Sequence, residues 1–191
     1  MKFTLFILFT TILLKSSLLS QNLADPIEVV NEMNKVRRNP IAYSNWMLKF
    51  KNQNKKVKEF NEAINFLKKL KSLDTLTIKL GLQKSAEDHV NDIGLKGIIS
   101  HIGSDNSSPL KRMQRYAFIN SLASENISFG TETAEETVLG WIIDKGVKGR
   151  GHRKTIVNKD LAYVGVASGF HKIYKFVTVA DFVELYQDYI K

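Results

Sequence analysis

His152 stands between Gly151 and Arg153 in the stretch 141–158, where three glycines, Gly146, Gly149 and Gly151, fall within six positions. Such a density lets the backbone approach a ligand or another segment closely and supplies positive φ where it is needed. An imidazole on that loop has the profile of a site, although a solvated surface histidine is the plainer reading of the loop taken alone. His101 falls where the apolar pair Ile98 and Ile99 gives way to the polar run 104–108. Two carboxylates have comparable settings. Glu125 is alone among small and apolar neighbours in 123–130, and Asp144 follows Trp141 at helical spacing, bordering a core-facing stripe where it must find a partner or stay partly wet. The other two histidines invite blander readings: His89 borders a buried helical stripe as a core-edge residue, supporting a site at best. His171 falls in a hairpin turn and is expected in solvent.

The elements that must position these groups follow from periodicity. Asp25 caps and Pro26 opens a helix over 26–38, which Pro40 ends, and a second helix is expected over 41–50 with Tyr43, Trp46, Met47 and Phe50 on one side. A basic linker at 51–58 precedes the stripe Val57, Phe60, Ile64, Leu67, Leu70, whose lysine-rich opposite face is solvated. A turn region at 71–77 leads to a helix over 80–95 that buries Leu82, Ala86, Val90 and Ile93. Ser108 and Pro109 start a short helix, and 123–130 is extended. Thr133 and Glu136 form a capping box for a helix whose inner face carries Ala134, Val138, Trp141 and Ile142. Strands at 162–168 and 173–183 finish the chain. In the second, Tyr174, Phe176, Ala180 and Phe182 alternate with Val177, Val179 and Val183, so both faces are buried and helices must cover the sheet on each side. The expected fold class is α+β: a three-layer α-β-α sandwich with a mostly antiparallel sheet.

The 191 residues suffice for one domain with a proper core. Residues 1–20 read as a secretory signal peptide: Lys2, then the apolar run 3–14, then a short polar stretch ending at Ser20, the expected cleavage point. The run is too short to span a bilayer, so 21–191 is expected as a single soluble extracellular domain. The chain has no cysteine, which excludes a cysteine protease, a thiolate zinc site and a redox pair, and leaves stability to the core. The formal charge of +9 suits acidic surfaces. Its lysines are scattered along helices rather than interleaved with aromatics, and a nucleic-acid partner is not expected.

Taken together, Ser100-His101-Ile102-Gly103-Ser104-Asp105, Ser124-Glu125-Asn126-Ile127, Trp141-Ile142-Ile143-Asp144, Gly151-His152-Arg153 with Ile156 and Asn158, and Val164-Gly165-Val166-Ala167 resemble the CAP superfamily. That superfamily, also called SCP-like, takes in cysteine-rich secretory proteins, antigen 5 and pathogenesis-related 1 proteins. The resemblance covers about 29–182 and implies an α-β-α sandwich, secretion, and a central cleft with two histidines and two acids: His101, Glu125, Asp144 and His152. The chain departs from the usual pattern at Ser124, at Asp144 where Glu is common, and at Arg153 where an aromatic often follows the histidine. With no cysteine it is most similar to the disulfide-free branch.

Two imidazoles and one or two carboxylates converging on a cleft can hold a divalent ion such as zinc and leave a position for water. The same groups can instead fix one another as a structural network. The leading functional reading is a non-enzymatic extracellular binding module for a lipid, a glycan or a protein, ahead of a secreted scaffold. Third comes a metal-dependent hydrolase with His101 and His152 as ligands and Glu125 as general base. Against it, the chain has no zincin His-Glu pair, no Gly-x-Ser-x-Gly elbow and no phosphate-cradling glycine loop. Of two glycosylation sequons, Asn106 is expected to be exposed and open to modification, and Asn126 to be buried in the cleft motif and unmodified.

Overall fold

The computed structural model describes residues 23–54 and 57–189. The expected signal peptide and Lys55 and Lys56 of the expected linker lie outside them. The chain opens with α1 (Pro26–Arg38), capped by the Asp25 carboxylate on the amides of Ile27 and Glu28, and α2 (Pro40–Met47), capped by Asn39. α2 tightens into a 3-10 turn, Leu48–Phe50, and α3 (Lys58–Leu67) follows. β1 (Thr77–Ile78) leads into α4 (Leu80–Lys96), then α5 (Pro109–Met113), β2 (Ala117–Phe118) and β3 (Ala123–Phe129). α6 (Ala134–Ile143) begins with the expected Thr133–Glu136 capping box, and α7 (Gly151–Ile156) is a short helix inside what reads in sequence as loop. β4 (Tyr163–His171), β5 (Lys175–Val183) and β6 (Gln187–Asp188) complete the order.

The main sheet runs β1-β4-β5-β3, and β2 pairs with β6 apart from it. β4, β5 and β3 are antiparallel, but β1 joins β4 in parallel, so the sheet is mixed. β1 is only two residues long and exposed, too short to leave a periodic signal. β5 is buried on both faces, as its double apolar alternation requires. On one face Val164, Val166, Ala180 and Phe182 meet α1, α2, α3, α6 and α7 through Val29, Met33, Met47, Phe60, Trp141 and Ile156. On the other, Ala167, Val177 and Val179 meet Ala86, Val90 and Ile93 of α4. Three layers result. α4 crosses β4 at Gly165, where any Cβ would stand 2.0 Å from the amide nitrogen of Gln83, so only glycine permits that approach.

The hairpin between β4 and β5 corrects one expectation. His171 is fully buried, not exposed: its Nε2 donates to the Ile98 carbonyl at 3.1 Å, and its Nδ1 accepts from the amides of Ile173 and Tyr174. The ring ties the hairpin to the segment after α4, a long-range partnership that local sequence does not reveal.

Candidate functional site

β3 is an edge strand, and its alternation sends Glu125 toward α4 and its neighbours Ser124 and Asn126 toward α7. Each side carries one histidine paired with one acid.

On the α4 side, Gly97 ends the helix in left-handed backbone and releases the chain into the loop that carries His101. His89 donates from Nε2 to the Ser100 carbonyl at 3.0 Å, and Arg112, just inside α5, donates from Nη1 to the carbonyls of His101 and Ser107. Held this way, His101 places Nδ1 2.7 Å from Oε1 of Glu125, while Nη2 of Arg112 lies 2.5 Å from Oε2. Burial pushes the Glu125 carboxyl up, but the His101 hydrogen bond and the charge of Arg112 outweigh it, leaving it below the ordinary range. Directly across the sheet from Glu125 lies Asp181, fully buried, with Oδ2 accepting from Ser85 at 2.6 Å and Oδ1 unpartnered among the described residues. Burial, then the Glu125 charge, pushes the Asp181 carboxyl well above its usual value. The two adjacent buried carboxyls are thus pushed apart, Glu125 below and Asp181 above the ordinary range.

On the other side, Asp144 caps α6 in left-handed backbone, φ 54° and ψ 46°. Its Oδ1 lies 2.7 Å from Nδ1 of His152, and its Oδ2 accepts the His152 amide at 3.0 Å. α7 thus starts on a carboxylate, as a helix N-terminus favours. The Asn126 side chain donates to the His152 carbonyl at 3.1 Å, and Ser124 Oγ meets Thr155 Oγ1 at 2.9 Å, fastening α7 to β3. Arg153, almost wholly buried, donates to the α6 carbonyls of Ile142 and Ile143 and reaches Glu62 of α3. It closes the end of α6 where an aromatic is common in the superfamily. Arg150 and Arg153 together hold the Glu62 carboxyl down to about 2.

The structure therefore joins the four expected residues as two dyads, His101 with Glu125 and His152 with Asp144, on either side of the free edge of β3. In each, a carboxylate accepts from Nδ1, so Nε2 is the nitrogen left for other partners. His101 is half-exposed and His152 less so, whereas both carboxylates are buried. His89 is buried behind His101 as a support. Asn106 is exposed, at positive φ in the loop, and Asn126 is buried, both as expected. Sequence reading missed Arg112 and Asp181. Asp181 had a signal: it is the one carboxylate in β5, on the same alternation as Val177, Val179 and Val183.

Residues 30–182 match the family described as the cysteine-rich secretory protein family, CAP. The chain belongs to the CAP family. It is 31% identical over 109 residues to the uncharacterized protein YkwD of Bacillus subtilis (strain 168), a match covering 57% of this chain and 40% of that relative. Among solved structures, an outer surface protein from Borrelia burgdorferi overlays with a TM-score of 0.50 at 20% identity, covering 71% of this CAP chain and 91% of that one. An extracellular protein containing an SCP domain from Bacillus anthracis str. Ames gives 0.47 at 23% identity, covering 59% and 35%. The Borrelia overlay supports the fold alone. No helix among the described residues is long and apolar enough to cross a membrane.

The CAP dyads also bear on zinc. A catalytic zinc ordinarily has three protein ligands, and among the described residues no three His, Asp or Glu side chains are grouped to hold an ion. The reason is visible in the dyads: both carboxylates are turned onto Nδ1 atoms, which leaves two imidazole nitrogens as donors. The donor set does not fit a resident zinc ion.

Proposed function

We propose that this CAP domain is a secreted, non-enzymatic binding module whose ligand, a lipid, a glycan or a protein, docks against the Nε2 atoms of His101 and His152 beside the β3 edge. The observation that carries this reading is the anchoring of both imidazoles through Nδ1 to buried carboxylates, which fixes ring orientation before any ligand arrives. Single-domain organisation over 21–191 and export through the signal at 1–20 belong to the same proposal.

The hydrolase alternative is weaker on physical grounds. A general base needs a free lone pair and a conjugate acid near the working pH. Glu125 has one oxygen on His101 and the other on Arg112, no exposed side-chain surface, and a carboxyl held below its normal range. Nor does any hydroxyl among the described residues hydrogen-bond to either Nε2 as a nucleophile would.

Calorimetric titration with zinc chloride, used as a probe of imidazole nitrogens, tests the cleft beside the double variant His101→Ala, His152→Ala. The reading expects weak, saturable binding that the variant loses. Absence of heat, with a variant that is merely less stable, would return the dyads to a structural role. Turnover of any ester or peptide abolished by Glu125→Gln would establish the hydrolase.

A further inference from the structure

A second site lies at the far end of α6 from Asp144. A groove of about 570 Å³ opens between α1, α2 and the first turn of α6, lined by Glu32, Lys35, Arg38, Tyr43, Trp46 and Glu135 among others. Glu135 and Asp144 sit at opposite ends of α6, about 13 Å apart along its axis, so the groove is separate from the cleft.

Two features are not explained by folding alone. Glu32 is 3% exposed, and among the described residues only Lys35 donates to it, at 2.6 Å. Tyr43 is 5% exposed and its hydroxyl has no hydrogen-bond partner of good geometry among the described residues; burial, and then the neighbouring Glu32 carboxylate, push the phenol well above its ordinary value. Burying a phenol oxygen without a partner is unfavourable, and an apolar side chain would fill the position at no such cost. Trp46 completes the groove. Its ring packs tilted on Tyr43 at 4.9 Å and edge-on to Phe50 at 5.0 Å, which fixes its plane while leaving it partly exposed.

The chemistry of the lining selects among ligands. Two carboxylates and two cations line the groove, which disfavours a ligand of either net charge, and an acyl chain would strip water from all four without replacing its hydrogen bonds. A neutral polyhydroxylated ring suits the set: its hydroxyls both donate and accept, and its C–H face stacks on an aromatic ring. We propose that this groove is a carbohydrate subsite, with Trp46 stacking a sugar ring and the Tyr43 hydroxyl and Glu32 carboxylate taking its hydroxyls.

Titration of the full chain with chitotriose, cellotriose and maltotriose, read by calorimetry and tryptophan fluorescence, tests the proposal. Trp141 is buried, so a fluorescence change reports Trp46. Saturable binding of at least one trisaccharide is expected, weakened about fivefold by Tyr43→Phe and more than tenfold by Trp46→Ala. It should be unaltered in the His101→Ala, His152→Ala variant, which separates this site from the cleft. Tyr43→Phe removes only a hydroxyl and leaves the packing in place, so loss of fold does not confuse the result. No binding of any of the three sugars, undiminished binding by Tyr43→Phe, or displacement of bound sugar by sodium palmitate would each overturn the assignment.

Discussion

Asp144 holds His152 twice, through Nδ1 at 2.7 Å and through the backbone amide at 3.0 Å, from a residue whose own backbone is left-handed. The shorter acid is suited to this position because its carboxylate must reach back to the start of α7 from the end of α6, and Asp tolerates that backbone better than most residues. Asp144→Ala should destabilise the fold by about 2–4 kcal/mol, combining loss of charge-assisted hydrogen bonds with backbone strain. Asp144→Asn should cost less, since it keeps the backbone tolerance but cannot accept at both points. Urea unfolding of the two variants checks the order, and equal stability of both with the parent would refute the linkage.

Arg112 is the counter-charge that permits Glu125 to be ionised in the interior. Arg112→Met removes the guanidinium and leaves a buried carboxylate with His101 as its remaining close partner. The expected loss is about 3–5 kcal/mol. The double variant Arg112→Met, Glu125→Gln should recover part of it. Denaturation of both, compared with Glu125→Gln alone, measures the coupling; additive effects would show that the pair does not interact.

Asp181 gives the fold a pH dependence of unusual sign for an aspartate. Its carboxyl is pushed up, so the folded state holds a proton that the unfolded state releases at about pH 4. The stabilisation this provides is complete below that pH and is lost as the pH rises through the raised value. Asp181→Asn keeps the shape without the titration, so the parent should lose thermal stability relative to the variant as pH rises. Parallel melting curves across the range would contradict the assignment of the proton.

Much of this was written locally in the chain. The caps at Asp25, Ser108 and Thr133 and the doubly buried β5 are signals of spacing and residue type, and the structure has each. Family resemblance, rather than spacing, drew His101, Glu125, Asp144 and His152 together. What stayed hidden depends on tertiary partners. β1 is two residues that pair only because β4 passes beside them, and α7 forms where the carboxylate of Asp144 receives its first amides. Arg112 looks in sequence like any surface arginine on a short helix.

His171 shows the same limit and supplies a further test. His171→Phe preserves ring packing against Phe129 and Tyr174 but deprives the Ile98 carbonyl and two turn amides of their partner. A loss of about 1–3 kcal/mol is expected, with faster amide exchange at Ile173 and Tyr174. Unchanged exchange there would mean that the ring does not hold the hairpin.

The most direct measurement is the imidazole nitrogen spectrum of the histidine-labelled protein, recorded at a pH above the ordinary histidine range so that the rings are neutral. The account predicts the proton on Nδ1 in His101 and His152, leaving Nε2 unprotonated, and the proton on Nε2 in His89 and His171. A proton on Nε2 in His101 or His152 would contradict it, because the buried carboxylates would then not be orienting the rings toward a ligand.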